Sequence, residues 1–359
     1  MYSFNPSLKK IYQQQWQGEL EEYITALDWS VNGDLAISSA QGEVILKTLT
    51  QNTPIVLLTP ENTGFQSVDC LQFSGDGQFL AVGAQDGKVR VWQLQPKPIL
   101  IETLELGKFW IEHLAWHPHQ LQLAFTFGEY GQIWDAVSRE IVTTLPFLES
   151  TALDLQWHPT GEYIAIAGNG GISIWSSSDW DDDPFWAEMP GACNKIAWSP
   201  DGAYLAGNCF DKSVWIWCWK NLETWHLSGF AAKVRNLSWS KPNVEFAPLL
   251  SLSCLNGVVI WQKEEDDDDG WNCYSLEGHS TIVEALKFHP ENLLVASADE
   301  EGIILLWNKA QTLTQRLTGV ENGFSEIAWH PQGKYLAGGG KNGEILIWQK
   351  IEETKGKGF

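Results

Sequence analysis

The chain has 359 residues, 44% of them hydrophobic and only 19% charged, with 21 tryptophans; that balance excludes a disordered chain and supports a large core. The formal net charge is −22, which argues against a nucleic-acid backbone or an anionic membrane surface as partner, since both need clustered Lys and Arg. It fits a soluble protein, or one whose partner is basic or a cation. Six cysteines (Cys70, Cys193, Cys209, Cys218, Cys254 and Cys273) contain no C-x-x-C pair and mostly lie in apolar runs. They read as reduced structural thiols of a cytoplasmic-type compartment. The opening MYSFNPSLKKIYQQQW holds no apolar stretch of signal-peptide length, and no run approaches a membrane span.

In chain order, the first predicted element is a strand in KKIYQQQWQ. A unit then repeats eight times, opening on Trp29, Phe73, Trp116, Trp157, Trp198, Trp239, Phe288 and Trp329, which stand 41 to 49 residues apart. Seven units carry a second aromatic, at Trp92, Trp134, Trp175, Trp217, Trp261, Trp307 and Trp348, and Lys47 takes that place in the first. Alternation predicts strand a before the first aromatic, strand b after a turn and strand c up to the second aromatic. A fourth apolar run, such as PILIETL or QTLTQRL, gives strand d. Asp76-Gly77, Asp86-Gly87, Asp201-Gly202, Asn256-Gly257 and Asn342-Gly343 mark turns. The units cover about 17–59, 60–105, 106–147, 148–189, 190–229, 230–277, 278–318 and 319–350. The last stops after strand c (EILIWQ).

A period of roughly 40–45 residues with four short strands per unit resembles the WD-repeat family. The segments FSGDGQFLAVGAQDGKVRVWQ and IAWSPDGAYLAG carry the resemblance, which extends over about residues 8–350. It is closer to stand-alone bacterial-type members, because Gly-His survives only at Gly278-His279 and Trp-Asp ends strand c only at Trp134-Asp135. The resemblance implies an all-β fold: a single eight-bladed β-propeller domain over 1–359, with seven blades plus a divergent segment as the alternative. Because an open array leaves two unpaired edges, residues 8–16 are expected to close the last blade, with Ile11 to Trp16 pairing with the strand that ends at Trp348. The family's structural tetrad is best preserved as His279, Ser297 and Trp307, with Glu301 where Asp is usual. Asp86 and Asp211 keep the turn acid in units two and five. Blades without the tetrad are expected to lean on tryptophan packing.

In strand a the apolar positions fall two and five residues before the aromatic, a step that implies a β-bulge. The bulge would aim the residues three and four before the aromatic at the channel mouth: Asp69, Glu112, His113, Asp154, Lys195, Arg235, Glu284 and Glu326. In members of the resembled family this mouth is the commonest partner face. Phe210, Phe230, Trp110 and Tyr130 are expected on the same face. The expected partner-binding set is Phe210, Phe230, Arg235, Trp110, Asp69, Glu112 and Glu284, since exposed aromatics and arginine dominate interfaces. The expected function is a non-catalytic protein–protein interaction scaffold, adaptor or assembly factor. It would be a cytoplasmic monomer or complex subunit that binds other proteins and neither nucleic acid nor membrane.

Two acidic insertions, SDWDDDPFW and KEEDDDDGW, fall between strands c and d. A second reading makes them Ca²⁺-responsive, with Asp181, Asp182, Asp183, Asp266, Asp267, Asp268 and Asp269 as weak ligand candidates. DDDDG lacks the alternate spacing of an EF-hand, and solvated hairpin loops explain the runs as well. No other cofactor is implied. His117, His158, His289 and His330 each follow the aromatic and precede Pro; Ser30, Ser74, Ser199 and Ser240 fill that slot elsewhere. A slot that accepts His or Ser wants a turn-capping hydrogen bond, not a metal. Catalytic motifs are lacking, which leaves a channel group of Asp69, Glu112, His113 and Asp154 as the enzyme reading.

Overall fold

Alternating strands separated by glycine turns pair with their sequence neighbours, so each unit becomes an antiparallel sheet in the order a-b-c-d. The computed structural model describes residues 8–147, 150–242, 247–264 and 270–352. It contains eight such sheets. In blade 4 the strand runs without a break from Tyr163 to Ser176. The Ser177 N–H returns to the Glu162 carbonyl at 2.9 Å, so this segment is itself the b–c hairpin. The first strands of consecutive blades touch all the way round, including the last against the first. The result is an eight-bladed β-propeller with strand a innermost.

The ring is closed by the chain's own beginning. Tyr12–Glu19 pairs antiparallel with Glu344–Lys350, with Tyr12 opposite Lys350, Gln14 opposite Trp348 and Glu19 opposite Glu344. The strand starts one residue later than expected and runs three further. The predicted bulge is present in blades 1, 2, 7 and 8, where Thr25, Asp69, Glu284 and Ser325 are skipped in the a–b register. In blades 3 to 6 strand a begins only after that position.

The opening aromatics turn out to be staples as well as packing. The indole N–H of Trp29, Trp116, Trp157, Trp239 and Trp329 donates across the blade boundary to the carbonyls of Ala328, Gln72, Ala115, Ala197 and Lys287, at 2.9 to 3.2 Å. Each acceptor is the residue just before the neighbouring blade's own aromatic. Side chains at that same position reach the other way: Asp28, Gln72 and Ser238 accept the backbone N–H of Phe73, Trp116 and Phe288. Burial pushes the Asp28 carboxyl up to about 7, although backbone N–H groups of Phe73 and Trp29 pull it down.

In blade 1, Lys47 is buried in the tryptophan's place. Its ammonium donates to the Thr48 and Gln51 carbonyls and lies 5.1 Å from the Trp16 ring of the closing strand. All six cysteines are free thiols. No helix among the described residues is long and apolar enough to cross a membrane.

Blade 7 holds a complete tetrad, but with a different acid from the one expected. Trp307 Nε1–H donates to Ser297 Oγ (2.9 Å), Ser297 Oγ–H to His279 Nε2 (2.7 Å), and His279 Nδ1–H to Asp299 Oδ2 (2.7 Å). Asp299 ends strand b and is fully buried, whereas Glu301 is exposed and accepts from Ser280. Position explains the correction: Ser297 and Asp299 are two apart and share a strand face, while Glu301 lies beyond the strand end. Phe125, Ile166 and Leu252 occupy the Ser297 register in blades 3, 4 and 6, so the Trp134, Trp175 and Trp261 indole N–H groups are buried without a partner.

Candidate functional site

In an a-b-c-d meander the a–b and c–d turns lie at one end of the strands, and the b–c turns and d–a loops at the other. The second end is the mouth. Tyr23, Phe65, Phe109 and Trp110 lie in d–a loops, and Tyr130 and Phe210 at b–c turns; all six are exposed. Phe185 and Trp186, on strand d of blade 4, are the other exposed aromatics among the described residues.

The segment PENTGF before blade 2 holds Phe65 outward. Thr59 caps the short helix Pro60–Thr63, and Gly64 follows in the left-handed region. Phe65 continues there at φ 61° while its N–H donates to the Pro60 carbonyl at 2.8 Å. A non-glycine residue in that region costs about 1 kcal/mol or more, yet the ring is left 59% exposed. Buried Arg90, paired with Asp86, donates to the Asn62 carbonyl and braces the loop from below.

Trp110 and Glu112 line one cleft of about 360 Å³ with Phe109 and Phe127. Phe109 meets Phe127 at 5.9 Å, and Phe127 stacks on Tyr130 at 5.6 Å, forming a ring ladder that rises to the surface. Arg235 and Glu284 line a second cleft with Lys233. Here the charges are already matched: Arg235 pairs with Glu284 at 2.7 Å, and Lys341 bridges Glu284 (3.0 Å) and Glu300 (3.2 Å), tying blades 6, 7 and 8. Burial and then the Glu284 carboxylate push the Tyr23 phenol up. Phe210 lies under the Lys233 ammonium, 3.6 Å from its ring centroid.

Three expected site residues do something else. Phe230 is half-buried beside Trp261 in the core of blades 5 and 6, so it supplies packing and not an exposed ring. It fills the slot of His279, which is itself buried. Asp69 accepts from Ser67 Oγ–H within its own bulge. Asp154 comes within 3.3 Å of His113, but its other oxygen is committed to the Ile196 N–H of the next blade. Asp181, Asp182 and Asp183 are exposed on the face opposite the mouth, and among the described residues no three acidic, His or Cys side chains converge to hold an ion. Asp266, Asp267, Asp268 and Asp269 lie outside the described residues.

The four histidines do cap turns. His117 Nδ1 accepts the N–H of His119 and Gln120, His158 that of Thr160, His289 that of Glu291 and His330 that of Gln332. Ser30, Ser74, Ser199 and Ser240 accept N–H groups in their own turns through Oγ. The histidines add a contact that the sequence did not suggest. Nε2–H of His117, His158 and His289 donates to the carbonyl of Gly161, Gly202 and Gly333 in the next blade, with the ring edge-on to that blade's tryptophan.

Burial pushes His289 down to about 4, below the ~6.5 of an unfolded histidine. Between those values the unfolded chain binds the extra proton, so this contribution is intact above about pH 6.5 and lost as pH falls through about 4. His289→Ser is expected to cost about 1 kcal/mol at pH 7 and to flatten the acid side of the stability curve. Asp28 acts in the opposite sense, so urea midpoints of variant and parent from pH 7 down to 4.5 must be compared; parallel curves would rule the histidine out.

The comparisons agree with this architecture. The pattern described as the anaphase-promoting complex subunit 4 WD40 domain matches residues 27–119, and the WD domain, G-beta repeat matches 142–176, 188–218, 270–308 and 311–349. The transcriptional corepressor LEUNIG_HOMOLOG of Arabidopsis thaliana is 21% identical over 81% of this chain and 43% of its own length. Cell division cycle 20.5, cofactor of APC complex, of the same plant is 24% identical over 80% and 64%. A probable cytosolic Fe-S cluster assembly factor of Schizosaccharomyces japonicus is 31% identical over 56% and 34%. The chain thus spans less than two thirds of each of these relatives. All three are eukaryotic proteins, so the expected bacterial-type leaning finds no support. By its repeats, its ring and these matches, the chain belongs to the WD40-repeat family.

Proposed function

We propose that this propeller is a non-catalytic protein-interaction platform that binds partners through its mouth. The observation that carries this reading is the placement of Tyr23, Phe65, Phe109, Trp110, Tyr130 and Phe210: six exposed aromatics in or directly beside the loops at one end of the strands. Aromatic rings on a rigid frame give contact area at low ordering cost. A corepressor and a cofactor of the APC complex among the relatives support an adaptor role. The six free thiols fit a reducing compartment such as the cytoplasm.

Phe65→Ala/Trp110→Ala tests the reading, with Val137→Ser on the opposite face as control; all three side chains are exposed. The double variant is expected to melt like the parent and to lose at least tenfold in recovery of cellular partners, as for interface hot spots of ~2 kcal/mol. Full recovery by the double variant would overturn the mouth reading.

A further inference from the structure

The face opposite the mouth carries a feature of the wrong sign for this protein. The chain has 23 basic against 45 acidic residues. Yet Lys9, Lys10, Lys334 and Lys350 line a single cleft of about 640 Å³ where the closing strand meets blade 8. An adjoining cleft of about 660 Å³ shares Ile11 and Lys350 with the first and adds Lys309. All five lysines are exposed, and Lys10, Lys309, Lys334 and Lys350 are in no ion pair among the described residues. Among the described residues, Glu352 is the one carboxylate lining either cleft. Between the lysines the surface is mainly apolar, with Ile11, Leu293, Leu294 and Ile351 beside the amides Gln349, Asn292 and Asn308. The a–b turn of blade 8 supplies Lys334, the c–d turn of blade 7 Lys309, the segment leading into the closing strand Lys10, and the end of its partner strand Lys350, so the seam itself assembles the groove.

We propose that this seam groove docks a short acidic peptide segment of a partner protein, with an apolar side chain between its carboxylates. Charge complementarity selects the acid, because the lysines make a local positive field on a molecule of net charge −22. The same net charge limits the length: a nucleic acid or an anionic bilayer extends beyond the patch and meets repulsion on every side. The apolar floor offers nothing to a bare phosphate but does offer burial to a Leu or Phe. The groove is independent of the mouth.

The probe is a short fluorescent peptide of alternating Glu and Leu, titrated by anisotropy into the full chain. Saturable binding that weakens with salt is expected. Lys10→Glu/Lys334→Glu/Lys350→Glu should weaken it by roughly tenfold or more, while Phe65→Ala/Trp110→Ala leaves it unchanged. If the reversal variant melts early, Lys→Gln at the same positions gives the same comparison with less repulsion. A Glu/Ser peptide of equal length should bind more weakly. Equal affinity of parent and lysine variants overturns the proposal, as does displacement by millimolar phosphate or by duplex DNA. Binding that appears only after truncation beyond Glu352 would make the groove's occupant the chain's own end. Self-association abolished by the lysine variants would make it a second copy, and either result overturns a partner peptide.

Discussion

Deleting the strand that ends at Glu19 is expected to abolish the cooperative unfolding of the propeller, and Tyr12→Ala alone to cost about 3–5 kcal/mol. Tyr12 is the anchor of the seam. It is 1% exposed, its ring lies 5.4 Å from Trp329, and its hydroxyl donates to the Gly333 carbonyl at 2.6 Å. Blade 7 grips the same residue from outside: Gln315 Oε1 accepts the N–H of Ile11 and Tyr12, and Gln315 Nε2 donates to the Tyr12 carbonyl. Without the strand, Glu344–Lys350 becomes an open edge, available for pairing between molecules. Tyr12→Phe should cost only about 1 kcal/mol, because it removes one hydrogen bond and keeps the ring. Gln315→Ala should cost about 1–3 kcal/mol by stranding two N–H groups. Thermal unfolding followed by tryptophan fluorescence checks the series. A truncated chain that melts like the parent would show that the seam does not hold the ring, and rescue by an added peptide of residues 8–19 would confirm that it does.

The need for this closure was visible in the sequence because strand count is a parity problem: the last unit ran out after strand c, and an unused strand stood at the start. Blade number, order and the bulge were legible for the same reason, each being a period in one dimension. What crosses between blades was not. The His289 bond to Gly333 and the Trp157 bond to Ala115 join residues more than 40 positions apart, and no local pattern announces them. The mouth was half-legible. Phe210 and Tyr130 are legible because b–c turns recur in every unit, and Trp110 because it stands a few residues before its unit's opening aromatic; Phe65 and Phe109 sit further out in d–a loops, whose sequences do not repeat from unit to unit. Phe230 stands in a slot that the repeat identifies, but nothing in the local sequence marks that slot as buried. A residue replacing a buried histidine faces the core.

Asp299 offers the second large effect, and it separates the observed tetrad from the one the turn sequence suggested. Asp299 Oδ2 holds His279, while Oδ1 accepts the N–H of Glu301 at 3.1 Å and of Ile303 at 2.9 Å. Both oxygens therefore act only as acceptors. Asp299→Asn keeps the shape but turns an NH₂ towards one of these donors, so a loss of about 1–3 kcal/mol is expected. Asp299→Ala should cost about 3–5 kcal/mol, since it leaves the buried imidazole Nδ1–H and two backbone N–H groups unpaired. His279→Ala breaks the same chain, and the double variant should cost far less than the sum of the two, because one network is lost once. Glu301→Ala, on the exposed acid two residues on, should stay within about 0.5 kcal/mol of the parent. Urea unfolding of these five variants reads the comparison directly. A destabilising Glu301→Ala beside a silent Asp299→Asn would return the tetrad to the turn; the reverse order places it at the end of strand b, where the Ser297–Asp299 spacing puts both side chains on one face.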